Sequence, residues 1–328
     1  MPASNERAAT LYDVARLAGV SKSTASRVLN GDARVSPEAV ALVHRSAAAL
    51  NYVRNPAALA MSTSNGTRVV IGVVTPGTAI VVDEYLARVV ATAATLCSAE
   101  RIGVAVQALP LNGRDPFGLL ANDPTVHGLI LTNTTDAVLR AIPRRLAGRV
   151  VSIGIGSLRV PSIDVDNYTA AAVITRHLIE SGRRRIAMIA GPSWLPCTNR
   201  LTQSYKQSML DAGLRPRAIV ADFTTASGFA ATTKVLRRWP DTDAIFAVCD
   251  ATAIGVLEAL RAQHIDVPHD VAVAGFGDIP FAGSTQLTTA THPVEAIAAA
   301  ATRTVLSAVA TRRSDITFGS ELVLRQTA

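Results

Sequence analysis

The sequence predicts an α/β fold with two lobes, each built on a parallel, Rossmann-like sheet, preceded by a small helix-turn-helix unit. From Arg68 onward, short β-branched and aliphatic runs alternate with helical patterns, which is typical of βαβ units. Before that point, residues 10–30 have the pattern of two short helices joined by a tight turn. The change of pattern separates a helical domain from an α/β domain.

The first two predicted helices meet at Gly19, where a glycine permits a sharp change of direction. Thr10 with Asp13 three residues later is a capping-box signature, and Ser21 is expected to cap the second helix. A third helix is predicted from a Ser36 cap. The inward positions of the three helices are Leu11, Val14, Leu17, Ala18, Ala25, Val28, Leu29, Val40, Val43 and Leu50.

The outer face of the second helix presents Lys22, Ser23, Ser26 and Arg27, with no apolar residue among them. A helix that enters the major groove needs such donors to reach base edges and phosphates. A solvated face that binds nothing is the alternative for any polar helix face. The helix-turn-helix spacing, its N-terminal position and the segment that follows favour DNA binding.

The stretch TLYDVARLAGVSKSTASRVLN, followed by VSPEAVALVHRSAAALNYVRNPAALAM, resembles the headpiece of the LacI/GalR (lactose-repressor/galactose-repressor) family of bacterial transcriptional regulators. The match is long and has no gap. Lys22 and Ser23 fall on the pair that varies with operator sequence, and Ala25 replaces a commoner valine. The resemblance implies DNA contacts from Thr10, Tyr12, Ser21, Lys22, Ser23, Thr24, Ser26, Arg27, Asn30, Arg34, Asn55, Ala58 and Met61.

Residues 56–67 resemble the hinge segment of that family. The resemblance implies a short helix that orders on operator DNA, pairs with its dimer mate and inserts Met61 into the minor groove, where leucine is usual. A flexible linker is the alternative, because so short a helix is not stable alone. Leu59 and Ser62 also stand where more basic or polar residues are expected.

Composition is consistent with an intracellular DNA-binding protein. A chain of 328 residues suits two or three domains, and a net charge of +7 fits a polyanionic partner. Cys97, Cys197 and Cys249 have no paired metal-ligand spacing, so we expect reduced thiols. We see neither a signal peptide nor a membrane span, and we expect a cytoplasmic protein.

The α/β part resembles the periplasmic-binding-protein-like core of the same family, in which two lobes enclose a ligand cleft. Predicted strands lie at 69–74, 103–106, 128–131, 150–153, 185–191, 218–220, 244–249 and 271–276, with a helical stretch around 137–146. The predicted domains are a headpiece (1–55), a hinge and linker (56–67), a first lobe (68–163 and 292–316) and a second lobe (164–291 and 317–328).

An enzyme is not expected. No phosphate-binding Gly-x-x-x-x-Gly-Lys loop occurs, and the histidines have no nucleophile partner. Asp164, Asp166 and Asn167 cluster like metal ligands, but a strand-to-helix turn capped by the asparagine explains them better. The sequence therefore predicts no catalytic residue, no cofactor and no metal.

The effector cleft is inferred from the resemblance, which implies ligand contacts from Thr75, Thr132, Arg200, Phe223, Asp250, Gly277 and His292. Arg200 is expected to grip a hydroxyl pair or a carboxylate, and Phe223 to stack on a sugar face. His292 has a surface histidine as its alternative. The family often has carboxylates at the positions of Gly154 and Gly277. Their loss favours an anionic effector, a sugar acid or sugar phosphate, with a neutral sugar or nucleoside as the alternative.

These observations predict a transcriptional repressor that binds a pseudo-palindromic operator as a homodimer, without a C-terminal tetramerisation helix, and responds to a small sugar-like effector. Activation rather than repression stays open at this level. The alternatives are a ligand-binding sensor or transport-type binding protein that acts without DNA, and a sugar-processing enzyme.

Overall fold

The computed structural model describes residues 10–29, 36–50, 66–77, 80, 83–113, 115–146, 148–307 and 315–328. The chain divides into two compact units, Met1–Gly66 and Thr67–Ala328, and each is described by itself. The predicted hinge helix lies outside the described residues.

In the described part of the first unit, three helices surround a small aliphatic core. They are α1 (Leu11–Leu17), α2 (Lys22–Leu29) and α3 (Pro37–Ala49). Thr10 and Asp13 form the predicted capping box at α1, and Ser36 caps α3. Gly19 lies in the turn between α1 and α2 with a φ of +68°, a conformation that glycine adopts without strain. The fully buried residues Val14, Ala25 and Val43 bring one side chain from each helix to the centre.

The predicted inward position of Leu17 is wrong, because its side chain is 55% exposed. The buried face of α1 consists of Val14, Ala15 and Ala18, which are close together at the helical period of about 100° per residue. Leu17 lies to one side of that stripe. The spacing of the apolar residues in α1 did not show which of them face α2 and α3.

The described residues of the second unit form two six-stranded sheets. The strands are β1 (Arg68–Thr75), β2 (Gly103–Pro110), β3 (Val126–Thr132), β4 (Val150–Ile153), β5 (Ser162–Val165), β6 (Ile186–Ala190), β7 (Arg217–Val220), β8 (Ala244–Ala247), β9 (Ala272–Gly277), β10 (Thr288–Thr291), β11 (Ile316–Phe318) and β12 (Leu322–Val323). The first sheet has the order β11-β5-β4-β3-β1-β2 and is parallel throughout. The second has the order β12-β10-β9-β8-β6-β7, in which β12 alone is antiparallel.

Helices connect these strands. They are α4 (Glu84–Ala99), α5 (Gly118–Ala121), α6 (Asp136–Arg140), α7 (Asn167–Glu180), α8 (Pro196–Asp211), α9 (Thr225–Arg238), α10 (Asp250–Ala262), α11 (Pro280–Ser284) and α12 (Val294–Leu306). The helical stretch predicted around 137–146 is shorter, because Pro143 disfavours helix at the residue before it. The helix cap predicted at Asn167 is also wrong. Asp166 caps α7 instead, with its carboxylate accepting the Thr169 N–H at 3.0 Å.

The chain passes between the two sheets three times, after Val165, after Thr291 and after Phe318. Asp164 and Val165 still pair with β11 in the first sheet, so the first crossover lies two residues later than the predicted lobe boundary. Backbone hydrogen bonds join the crossovers: the Asp166 N–H donates to the Phe318 carbonyl, and the Thr291 N–H to the Glu321 carbonyl, both at 2.8 Å. The crossovers therefore form one bonded strip.

The end of the chain is fixed to the second sheet by Thr327. Its buried hydroxyl accepts the Thr288 N–H at 2.8 Å and donates to the Val273 carbonyl at 2.7 Å. Thr327 thus satisfies polar backbone groups on β9 and at the start of β10, two strands whose ends approach the cavity described below.

We predict that Thr327→Val lowers the free energy of unfolding by about 1–3 kcal/mol, because valine keeps the shape and leaves two buried backbone groups unpaired. Thr233→Val is the matched control, since the Thr233 hydroxyl is exposed and bonds only within its own helix. Urea denaturation of both variants checks this. Equal effects of the two substitutions would contradict the role given to Thr327.

Candidate functional site

The exposed face of α2 is the first candidate site. Lys22, Ser23 and Arg27 are exposed, while Ala25 and Val28 are buried against α1 and α3. The buried positions fix the rotation of the helix, so the polar side chains point away from the core. All of α2 is described, and no acidic residue lies in its first turn.

Ser21 organises the N-terminus of α2. Its Oγ accepts the Thr24 N–H at 3.0 Å and shares hydrogen bonds of 2.8 Å with the hydroxyls of Ser23 and Thr24. The positive end of the helix dipole is therefore exposed beside three hydroxyls and Lys22. This arrangement offers donors to phosphates and base edges.

The other predicted DNA contacts are placed as follows. Thr10 caps α1, Tyr12 is 63% exposed on the same helix, and Ser26 is half-buried on α2. Asn30, Arg34, Asn55, Ala58 and Met61 lie outside the described residues.

The second candidate site is a cavity of about 200 Å³ between the two sheets of the second unit. Its walls come from the carboxyl ends of strands in both sheets and from the helices that follow them. In the first sheet the strand order reverses between β1 and β3, and in the second between β6 and β8. Ligands of open α/β sheets bind at such switch points.

The cavity brings together most of the predicted effector residues, although they are far apart in sequence. Thr132, Phe223, Asp250, Gly277 and His292 line it. Thr75 ends β1 but is not part of the lining. Arg200 is also outside the lining, and its guanidinium is bonded to Asp164.

Asp250 is the most deeply buried carboxylate of the lining, with 1% of its surface exposed. One oxygen accepts the Thr289 hydroxyl at 2.6 Å and the other accepts the Ile279 N–H at 2.9 Å. Burial raises the pKa of Asp250, and these hydrogen bonds oppose the rise. Gly277 adopts a φ of +140° beside this carboxylate, so any other residue there would be strained.

His292 lies at the second crossover and faces the cavity. Its ring stacks on Phe276 with a centroid distance of 5.2 Å, and Tyr85 packs at the same distance on another side. Burial, together with the charge of Arg88, lowers the pKa of His292 to about 4. The imidazole is therefore neutral at pH 7. Its buried Nε2 has no hydrogen-bond partner among the described residues.

The lining residues that were not among the predicted effector contacts include Tyr85, Asp164 and Cys197. Asp164 and Cys197 each lie at or after the carboxyl end of a strand, a position that marks ligand sites in such sheets. From its sequence pattern, Asp164 was expected to be a turn residue. Although positions 154 and 277 are glycines, the cavity still has carboxylates in its walls. They are those of Asp83, Glu84, Asp164 and Asp250.

Two family models match this chain: "Bacterial regulatory proteins, lacI family" over residues 10–55, and "Periplasmic binding protein-like domain" over residues 175–328. The HTH-type transcriptional regulator CelR of Thermobifida fusca is 33% identical over 310 residues, which cover 88% of each chain. The chain belongs to the lacI family. The ribose operon repressor of Escherichia coli (strain K12) is a further relative, 32% identical over 84% of each chain.

Solved structures agree with this assignment. The complex of the regulator CelR with cellobiose has a TM-score of 0.68 at 29% identity, covering 98% of this chain and 100% of that one. The lac repressor dimer bound to operator and the anti-inducer ONPF has a TM-score of 0.76 at 24% identity, covering 98% and 99%, and supports the fold. This lacI-family chain is a DNA-binding transcriptional regulator rather than an enzyme. None of its described helices is long and apolar enough to cross a membrane.

We predict that the stability of the second unit depends on His292 below neutral pH. The folded pKa, about 4, lies below the ordinary value of 6.5, so the unfolded state binds a proton that the folded state excludes. This contribution to stability is complete above pH 6.5 and is lost as pH falls towards about 4.

Between pH 7 and pH 5, the free energy of unfolding of the wild type should fall by about 2 kcal/mol more than that of His292→Gln, because each pKa unit corresponds to about 1.36 kcal/mol. Denaturant titrations of both proteins at each pH measure the difference. Parallel losses in the two proteins would show that His292 does not stay neutral in the folded state.

Proposed function

We propose that this lacI-family regulator is a repressor that binds a pseudo-palindromic operator as a homodimer and responds to a small sugar-like effector in the second-unit cavity. The observation that supports DNA binding most directly is the exposed, basic, hydroxyl-rich face of α2. Its opposite face is locked into the core by Ala25 and Val28. Because its partner is DNA, we place its action in the cytoplasm.

Two features support control by a ligand. The cavity lies between two sheets that are joined by three crossovers, so a ligand that contacts both sheets changes how they rotate about that strip. Relatives point to the ligand class: CelR has been solved with cellobiose, and others are named for ribose. A sugar-like effector is therefore the proposal for this chain.

A ligand sensor that acts without DNA is the second candidate. The same cavity supports it, and only the first unit distinguishes the two functions. Substitutions on the exposed face of α2 would not affect the function of such a sensor. The same substitutions would abolish operator binding by a repressor.

We predict that Arg27→Ala weakens operator binding by about 5–150-fold, because a good bidentate base contact contributes about 1–3 kcal/mol. Arg45→Ala removes the same charge from an exposed position on α3 and serves as the control. Genomic footprinting supplies the operator, and mobility-shift titration measures both variants. If Arg27→Ala bound as tightly as Arg45→Ala, Arg27 would not be a base contact.

We also predict that exchanging Lys22 and Ser23 changes which operator is preferred rather than whether DNA is bound. Both side chains are exposed at the N-terminus of α2, the end that enters a major groove. Selection of binding sites from a random DNA library compares the exchanged protein with the wild type. Identical selected sites would show that these residues do not read bases.

The homodimer follows from DNA geometry, since one helix-turn-helix reads only a short half-site and two-fold pairing gives adequate affinity. Analytical ultracentrifugation at micromolar concentration should show a dimer. A monomer, or a stable tetramer, would contradict the proposed assembly.

A further inference from the structure

The Asp164–Arg200 ion pair spans the two lobes of the second unit. Asp164 belongs to β5 of the first sheet, where it pairs with Thr317, and Arg200 belongs to α8 beside the second sheet. The Arg200 Nη2 donates to the Asp164 carboxylate. Asp164 lines the cavity and Arg200 does not, so the carboxylate occupies the side of the guanidinium that a ligand would approach.

The fold holds the Asp164 carboxylate in place. One oxygen accepts the Val165 N–H at 2.9 Å, and the oxygen bonded to Arg200 also accepts the Asn167 amide at 3.1 Å. The side chain is only 14% exposed. Because the Asp164 carboxylate is tethered in this way, it competes for the Arg200 guanidinium at an effective concentration far above that of a free ligand. An anionic ligand would have to displace it to reach Arg200.

The part of the cavity wall that the structure describes offers no free cation. Its one guanidinium is that of Arg88, which is paired in a bidentate manner with Glu295 at 2.6 and 2.7 Å. His292 is neutral at pH 7. Asp83 and Asp250 add two further carboxylates to the walls. A site lined by one sign of charge repels ligands of that sign.

The uncommitted polar atoms suit hydroxyl groups. Two lining atoms, the Thr132 hydroxyl oxygen and the His292 Nε2, are buried without a hydrogen-bond partner among the described residues. Together they offer both donors and acceptors, and a hydroxyl group satisfies either kind. At about 200 Å³, the cavity is smaller than the roughly 300–1,000 Å³ typical of sites for drug-sized ligands.

We propose that Asp164 selects the charge of the ligand by acting as the built-in counter-ion of Arg200. With the pair intact, the cavity takes a small uncharged molecule rich in hydroxyl groups and excludes sugar acids and sugar phosphates. With Asp164 neutralised, Arg200 becomes available to a carboxylate or phosphate. This inference rests on the proposed function only in assuming that the cavity is the effector site.

The test is anion binding to the full-length protein, measured by thermal shift and calorimetry at constant ionic strength set with chloride. The anionic probes are inorganic phosphate, glucuronate and glucose 6-phosphate, and the neutral probes are glucose, galactose and ribose. Wild type should show no saturable binding of the anions. Asp164→Asn should gain anion affinity at least tenfold, while Asp164→Glu, which keeps the charge, should not.

Two further variants locate the effect. Asp83→Asn removes another lining carboxylate, one not bonded to Arg200, and asparagine keeps the capping role of Asp83 on α4. It should gain less anion affinity than Asp164→Asn. Adding Arg200→Ala to Asp164→Asn should abolish the gain, because the freed guanidinium is then missing.

Saturable binding of an anionic probe by the wild type, or no gain in Asp164→Asn, would overturn the proposal. Wild-type binding of an anionic probe overturns the proposal even if Asp164→Asn fails to fold. Failure of the repressor function is a separate result, seen as loss of operator binding in a mobility shift. That readout is independent of anion binding to the cavity.

Discussion

The second unit depends on one constraint: the carboxyl ends of two parallel sheets face each other across a strip of three hydrogen-bonded crossovers. The Asp166–Phe318 and Thr291–Glu321 backbone bonds join the crossovers, and His292 follows one of them directly. The two sheets are therefore free to rotate about this strip more easily than to separate. A ligand between them acts on that rotation, and the residues at the strand ends determine which ligand fits.

The fold was predictable from sequence because its signals are local. Continuous β-branched runs predict strands that are covered on both faces, and the alternation with helical patterns predicts a parallel sheet. The capping box at Thr10 and the turn at Gly19 likewise depend on neighbouring residues. The orientation of Leu17 and the identity of the α7 cap were not predicted correctly, because each depends on packing or on a backbone angle that periodicity does not fix.

The charge of the cavity was harder to predict because it is a sum over distant residues. The absence of carboxylates at Gly154 and Gly277 suggested a less negative cleft that holds an anionic effector more easily. The structure instead brings Asp164 to Arg200, although 36 positions separate them, and cancels the charge of the guanidinium. Five of the seven predicted effector residues line one cavity, but no single position shows how the charges around that cavity combine.

We propose that ligand binding in the cavity and operator binding by the first unit are thermodynamically coupled. The most direct test is calorimetric titration of the protein with one neutral sugar, with and without operator duplex. The sugar is the one that raises the melting temperature of the protein most in the thermal-shift measurement. We predict that operator changes the dissociation constant of the sugar by about 5–150-fold, the range typical of allosteric coupling. Equal dissociation constants in the two titrations would contradict the account of this protein as a ligand-controlled regulator.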